Sequence, residues 1–339
     1  MYWPEIPPAH YRAIMPMAAL QRRGHDVSMF PQREGEELSF DAIARHDVVH
    51  VHRLLINEDD AWVQRLHDAG VPVCFDNDDD VMATTGEEWE ELPGVTLRNV
   101  APAMMEGERA QALLPQMDLV TTPSRALAER FRERGAKDVR VIENFIPPEF
   151  LRIRAQGRPG FTVGWHASNE HHWDRMKLGV ERIAEQLLEA HPHVHVVTIG
   201  VDLGIDSNRY EYIDEVQLRE LTNHIADFDI GIAPLADTAF NRARSAIKVR
   251  EYAAAGVPWL ASARGPYAGF GREQGGRLVE DGDWFDALDE LIRSPMQRMR
   301  LRRRAKSWTK RELIDEQVVQ WEDALMDVVE DHRSSGAAA

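Results

Sequence analysis

Cysteine is almost missing from this chain of 339 residues, Cys74 being the only one. A lone thiol closes no disulfide within the chain and supplies no Cys pair for zinc, so a reducing compartment is expected. Long apolar runs are missing too. No stretch approaches the roughly 20 residues that span a bilayer, and Met1-Tyr-Trp-Pro-Glu5 has neither the basic nor the apolar region of a signal peptide. The expected location is the cytoplasm, with peripheral contact at a membrane surface as the variant. Positive charge is scarce: 40 Lys and Arg face 57 Asp and Glu, a formal charge of -17 that argues against general polyanion binding, nucleic acid included. Three phosphate and nucleophile signatures are also absent, namely G-x-G-x-x-G after the first strand, G-x-x-x-x-G-K-[ST] and G-x-S-x-G. Dinucleotide dehydrogenases, P-loop enzymes and α/β-hydrolases lose ground accordingly.

What is present is a rhythm of helix, glycine and strand. Helical patterns at 11–23, 58–69, 103–116 and 125–134 alternate with strand signals at 27–30, 47–52, 71–75, 118–122 and 139–142. Asn144-Phe-Ile-Pro-Pro-Glu-Phe150 and the Arg/Gly/Pro-containing residues 152–160 interrupt it, which places a domain boundary there. A second set follows, with strands at 161–165, 194–199, 228–232 and 257–261 and helices at 173–190, 215–226 and 245–255. Residues 284–330 are helical in pattern and strongly charged, and the terminal Ser334-Ser-Gly-Ala-Ala-Ala339 reads as disordered. The length and this order predict two β/α domains built on parallel sheets.

Ligands of such domains gather at the carboxyl ends of the strands. Within 245–255, Ser245 is the predicted N-cap and Gly256 with Pro258 the stop, so Lys248 and Glu251 share a face near the positive end of the helix. A cation there meets a diphosphate, and a carboxylate one turn deeper accepts a ribose diol. From spacing alone, an ordinary surface Lys-Glu pair fits as well. Arg242 and Arg244 are expected to join Lys248 in a local positive pocket, where guanidinium forks suit phosphate. His166-Ala167-Ser168 after the strand at 161–165 opens a helix whose amides suit phosphate oxygens, or is a plain βα turn. Asp76-Asn-Asp78-Asp79-Asp80 at a strand end suits sugar hydroxyls, helix capping or, as a minority reading, Mg²⁺ or Mn²⁺. His50 and His52 alternate on a strand and so face one way, fitting a packed or cleft-lining pair better than a zinc site. Arg298-Met-Arg300-Leu-Arg302-Arg303-Arg304-Ala-Lys306 is a solvated helix face or a contact for anionic lipid.

The run Ser245-x-x-Lys248-x-x-Glu251-Tyr-Ala-Ala-Ala-Gly256-Val-Pro258 resembles the donor helix of group 1 glycosyltransferases, the retaining GT-B enzymes of the family four type. Val163-Gly-Trp-His-Ala-Ser168 with His172 and Asp174 is similar to the opening of their donor domain, and Asp118-Leu-Val-Thr-Thr-Pro-Ser124 with Val141-Ile-Glu-Asn144 to the end of their acceptor domain. The resemblance implies an α/β GT-B fold, two facing Rossmann-like domains with a C-terminal helix crossing back to the first. Its boundaries would be 1–155 for the acceptor domain, 156–308 for the donor domain, 309–330 for the crossing helix and 331–339 for a disordered tail. It implies transfer of a sugar from a nucleoside diphosphate to a hydroxyl acceptor (glycan, lipid, protein or small molecule) with retention, and no obligatory cofactor. Arg244, Lys248 and Glu251 would carry the catalytic contacts, and Gly164, His166, Ala167, Ser168, Asn241, Ser245 and Ile247 the donor. His10, Arg12, Asp76, Asp78 and Asp79 would lie on the acceptor side, with Pro7 and Pro8 beside them. Ala243 stands where the family has an earlier Glu, Ala167 where it has Gly, and only Met1 to Pro4 is available for its first strand. These departures keep a non-catalytic nucleotide-sugar binding protein or partner subunit as the alternative, with a sugar-nucleotide epimerase behind it.

Overall fold

Strands that are apolar on both faces need helices above and below, and parallel strands joined by helical crossovers supply them. The computed structural model, which describes residues 1–2, 7–32, 37–53, 59–80, 112–168 and 171–336, has this arrangement twice. In the first domain β1 (Val49–His52), β2 (Val73–Asp76), β3 (Leu119–Thr122) and β4 (Val139–Val141) form a parallel sheet in that order. A π-helical turn, His10–Ile14, leads into α1 (Met15–Arg22); α2 (Asp59–Asp68) and α3 (Arg125–Glu133) follow along the chain. Ser124 caps α3, its Oγ accepting the Leu127 N–H at 3.2 Å. Val49, Val51, Val73, Phe75 and Val120 pack under α2 and α3 in one cluster.

The second sheet comprises β5 (Phe161–His166), β6 (Val194–Ile199), β7 (Tyr210–Ile213), β8 (Ile230–Ala233), β9 (Trp259–Ser262) and β10 (Gly276–Val279). Its order is β10-β9-β8-β5-β6-β7, with every pair parallel. The chain therefore winds one way from β5 and then returns to β8 on the other side, which opens a crevice beyond the carboxyl ends of β5 and β8. Around this crevice lie α4 (His172–Leu178) with α5 (Val180–Ala190) after β5, α6 (Leu218–Ala226), and α7 (Ala239–Ala243) with α8 (Ile247–Ala255) after β8. Then come α9 (Trp284–Arg293), α10 (Pro295–Thr309) and α11 (Val319–Gly336). Helix α11 lies on the first sheet, where Trp321, Leu325 and Val328 share a cluster with Met17, Leu20, Cys74 and Leu119. The return is pinned by a parallel bridge, Ile314 N–H to the Ile146 carbonyl at 2.9 Å and Ile146 N–H to the Glu312 carbonyl at 2.8 Å.

Several elements differ from the sequence expectation. Residues 27–30 form no strand; among the described residues the segment is tied to the N-terminal residues only by the Tyr2–Pro31 bridge and by the Tyr2 N–H donating to the Phe30 carbonyl at 3.3 Å. The helix expected over 173–190 breaks at Gly179, which takes the left-handed conformation at φ 58° and separates α4 from α5. Strands β7 and β10 were not anticipated: both are edge strands, and Tyr-Glu-Tyr-Ile and Gly-Arg-Leu-Val lack the unbroken apolar run of a central strand. Helix α11 continues to Gly336, into the tail expected to be disordered from 331. Most of the helix expected at 103–116 lies outside the described residues; Leu114–Gln116 is a 3₁₀ turn.

Candidate functional site

Helix α8 is buried nearly all round between its own sheet and the first domain, so its polar side chains must be satisfied by protein neighbours or by a ligand. Its first residue is Ile247 and no side chain caps it; Ser245 instead accepts a hydrogen bond from Asn144 Nδ2 at 3.2 Å, so the predicted N-cap is corrected to a contact between the domains. Gly256 does end the helix, in the left-handed conformation at φ 72°. Lys248 lies in the first turn, half-buried, with half-buried Arg244 just ahead of it. Glu251 is 4% exposed, and its Oε1 accepts the Tyr11 hydroxyl at 2.5 Å from the π-helical turn across the interface. Its Oε2 lies 3.1 Å from His166 Nε2. Burial works against the carboxylate, yet His166, the Tyr11 hydroxyl and Lys248 outweigh it and hold Glu251 below the usual range. Burial, then Lys248, pushes His166 down, so the imidazole stays neutral there.

The carboxyl end of β5 delivers the other half of the site. His166 is 5% exposed and packs its ring edge-on against Tyr252 at 5.0 Å, while the half-buried Ala167 and Ser168 follow, the Ala167 N–H donating to the Ile199 carbonyl at 2.9 Å. Behind them Asp174, fully buried, accepts from Ala236 N–H at 2.7 Å, from Asn241 Nδ2 at 2.8 Å and from His171 Nδ1 at 2.5 Å. This knot ties α4 to the loop after β8 and fixes the crevice walls. Burial pushes Asp174 up to about 6 despite those donors, and burial with Lys248 and Arg244 pushes His171 well down. Asn241 is therefore 3% exposed and holds the wall, and Ile247 packs beside Ile146, Phe150 and Ala254. Gly164 sits in the core, where a Cβ would come within 2.2 Å of the Phe228 ring, so its lack of a side chain serves the packing of β5. Arg242 is also placed differently from expectation: it is exposed and paired with Asp237 at 2.8 Å, leaving Arg244 and Lys248 as the positive pair near α8.

On the first domain the acidic run is consumed by cations. Arg12, fully buried, holds Asp76 through Nη2 at 2.6 Å and reaches Asn144 Oδ1 at 3.1 Å and the Ile142 carbonyl, while Thr121 Oγ1 donates to Asp76 at 2.5 Å. Arg12 and Asp76, expected on the acceptor side, thus form a bolt joining the π-helical turn to β2 and β3. Arg53, in the left-handed region at φ 53°, grips Asp78 at 2.9 Å and Asp79 at 2.9 Å. His52 Nε2 stands 3.5 Å from Asp78, and Asp78 lies far below the usual range, Arg53 and His52 overcoming its burial. Asp80 is paired with Arg130 and Arg134. Half-buried His10 precedes Tyr11 at the same turn. His50 packs edge-on against Trp321 at 5.3 Å. Among the described residues no group of three or more His, Cys, Asp or Glu is placed to hold a metal, and no helix is long and apolar enough to cross a membrane. In the basic run of α10, Arg298 donates to the Leu291 and Ile292 carbonyls and Arg304 pairs with Glu273 at 3.2 Å.

Sequence reasoning missed Tyr11, Arg53, His171 and Asn144. Of these only Tyr11 carried a signal, its place beside the acceptor candidates His10 and Arg12. Ala243 is fully buried in the packing of the first domain, its carbonyl accepting Ser124 Oγ at 2.5 Å, so no carboxylate stands at that point of the interface.

No protein-family model matches the chain, and no curated protein matches it significantly. Solved structures do. Anabaena HepE in complex with UDP and glucose is 14% identical, with a TM-score of 0.57 over 84% of this chain and 80% of that one. A trehalose-6-phosphate synthase, studied for glycosyl transfer with retention, is 14% identical at a TM-score of 0.57 over 94% and 84%. OtsA is 13% identical at 0.57 over 84% and 76%. At these identities the likeness shows the fold, and the fold is GT-B.

Proposed function

We propose that this protein is a retaining glycosyltransferase that moves a hexose-type sugar from a nucleoside diphosphate to a hydroxyl acceptor. The observation that carries the reading is α8 itself: at the crevice of the second domain, Arg244 and Lys248 flank the helix start and ionised Glu251 lies one turn deeper, beside His166. Glu251 holds the ribose diol, and Lys248 with Arg244 meets the diphosphate. Charge builds on the leaving phosphate as the C1–O bond breaks, and fixed cations stabilise that charge. The acceptor oxygen attacks C1 from the side the phosphate leaves, and its proton passes to the departing phosphate oxygen. Both bonds are thereby exchanged with the anomeric configuration kept and no protein nucleophile used. UDP is the first nucleotide to try, since HepE has been solved in complex with UDP and glucose on the same fold.

The test is thermal stabilisation by UDP, GDP, ADP and TDP and their sugars, because a ligand that binds only the native state raises the melting point. A rise of several degrees at saturating ligand is expected, with Lys248→Ala abolishing it. No response to any of them would sink the donor assignment. A non-catalytic binding protein is the second reading, favoured by Ala243 and by the Tyr11 hydroxyl seated on Glu251. Binding without sugar release or transfer to any acceptor would select it.

A further inference from the structure

Helix α10 carries a concentration of charge that the interdomain crevice does not use. From Leu291 to Arg311 there are nine Lys and Arg and no Asp or Glu, in a chain whose formal charge is -17. The inner row of the helix is anchored: Leu301 packs in the core of the second domain, and Ala305 and Trp308 share a cluster with Val249, Tyr252 and Ala253 of α8. At 3.6 residues per turn, Met296, Met299, Arg300, Arg303 and Lys306 fall on the opposite side, with Lys310 continuing that side at the C-cap. All six are exposed, Met296 by 57% and Met299 by 41%.

Not every cation of the run belongs to this face. Arg298 turns inward and donates to the Leu291 and Ile292 carbonyls, its guanidinium 4.6 Å from the centre of the Phe161 ring. Arg304 pairs with Glu273 at 3.2 Å and Arg293 with Asp289 at 2.8 Å. The remaining carboxylates that border the helix in sequence are engaged elsewhere, Glu290 with Arg277 and Glu312 with Arg250. Arg300, Arg303, Lys306 and Lys310 form no ion pair among the described residues, so the charge of the outer face stands uncompensated.

Four uncompensated cations beside two exposed methionines fit a partner that offers dense negative charge with an apolar phase beneath it. A bilayer containing anionic lipid has both, whereas a nucleic acid supplies the phosphates without the apolar phase. We propose that the outer face of α10 docks on such a bilayer, with Arg300, Arg303, Lys306 and Lys310 on the headgroup phosphates and Met296 and Met299 entering the acyl boundary. The acidic remainder of the protein is no obstacle: a plane meets one side of the molecule, and charges more than about 8 Å away are screened at physiological salt. Because the inner row stays in the core, docking needs no refolding. It needs no nucleotide either, so it stands whether or not α8 binds a donor.

The full chain is mixed with vesicles of phosphatidylcholine alone or of equimolar phosphatidylcholine and phosphatidylglycerol, and bound protein is read by co-sedimentation. Binding to the mixed vesicles alone is expected, weakened in ~1 M salt, where the screening length falls to about 3 Å. Each cation at such a surface contributes a factor of about five. Arg300→Gln, Arg303→Gln and Lys310→Gln together are therefore expected to weaken binding about a hundredfold with Tm unchanged. If that triple variant melts early, Arg303→Gln alone is expected to weaken binding about fivefold. Met296→Ser with Met299→Ser is expected to weaken it by about fivefold or more, since two apolar side chains no longer leave water. Duplex DNA at the same protein concentrations serves as the control, with no binding expected. Equal binding to both vesicle types, no binding to the mixed ones, unchanged binding in the cation or methionine variants, or duplex DNA held as tightly as the mixed vesicles would overturn the proposal.

Discussion

Glu251 is reached from two domains at once, by Tyr11 from the π-helical turn and by His166 from β5. On the proposed reading a ribose diol held by both carboxylate oxygens would share Oε1 with the Tyr11 hydroxyl, so the two are expected to compete. Tyr11→Phe removes a hydrogen bond to a charged group, an interaction of about 1.5–3 kcal/mol. The expected result is a lower melting point together with up to about tenfold tighter UDP binding, read by calorimetric titration. Unchanged affinity would show that Tyr11 is no competitor. Arg12 behaves differently, because its partner Asp76 is as buried as it is. Arg12→Met leaves that carboxylate uncompensated and is expected to cost about 3–5 kcal/mol in denaturant unfolding. Lys248 and Glu251 were legible from helical spacing, whereas Tyr11 is 240 residues from Glu251 and no local pattern connects them.

At the scale of elements, the central strands were readable because burial on both faces writes an apolar run into the sequence, as Phe161–His166 and Val194–Ile199 do. The edge strands β7 and β10 carry no such run, since one flank and part of each face meet solvent. Gly179 shows a second limit: one glycine inside a helical pattern is tolerated, and only the packing of α4 against the β8 loop and α5 against the sheet forces the turn. A side chain there finds open space but the wrong backbone region. Gly179→Ala is therefore expected to cost about 1–2 kcal/mol, a drop of a few degrees in Tm. No drop would mean that α4 and α5 can join into one helix without loss.

Taken as a whole, the molecule buries groups that prefer to be neutral, and this fixes its response to acid. Burial is the leading cause that holds His50, His166 and His171 below the usual imidazole value, and it holds the Met1 amine at about 5 instead of 8. A depressed base takes up its proton more readily in the unfolded chain, so stability falls as pH drops below about 8 for the amine and about 6.5 for the imidazoles. Asp174, raised to about 6, works the other way: the native state binds its proton first, which favours folding as pH falls from 6 toward 4. Three imidazoles and an amine outweigh one carboxyl, so Tm is expected to decline steadily from pH 8 to 5; a flat profile would contradict the neutral burial of these groups. The sequence by itself determined the parallel β/α class, the two-domain order and the helix bearing Lys248 and Glu251, because burial periodicity and helix stops are local properties. Only the tertiary structure decided that Tyr11 sits on Glu251, that Arg12 is a buried bolt on Asp76, that Arg242 turns to solvent, and that a cavity of about 630 Å³ opens beside Met1. Each of these depends on which distant residue fills the space next to a group, and packing settles that once the domains have closed on one another.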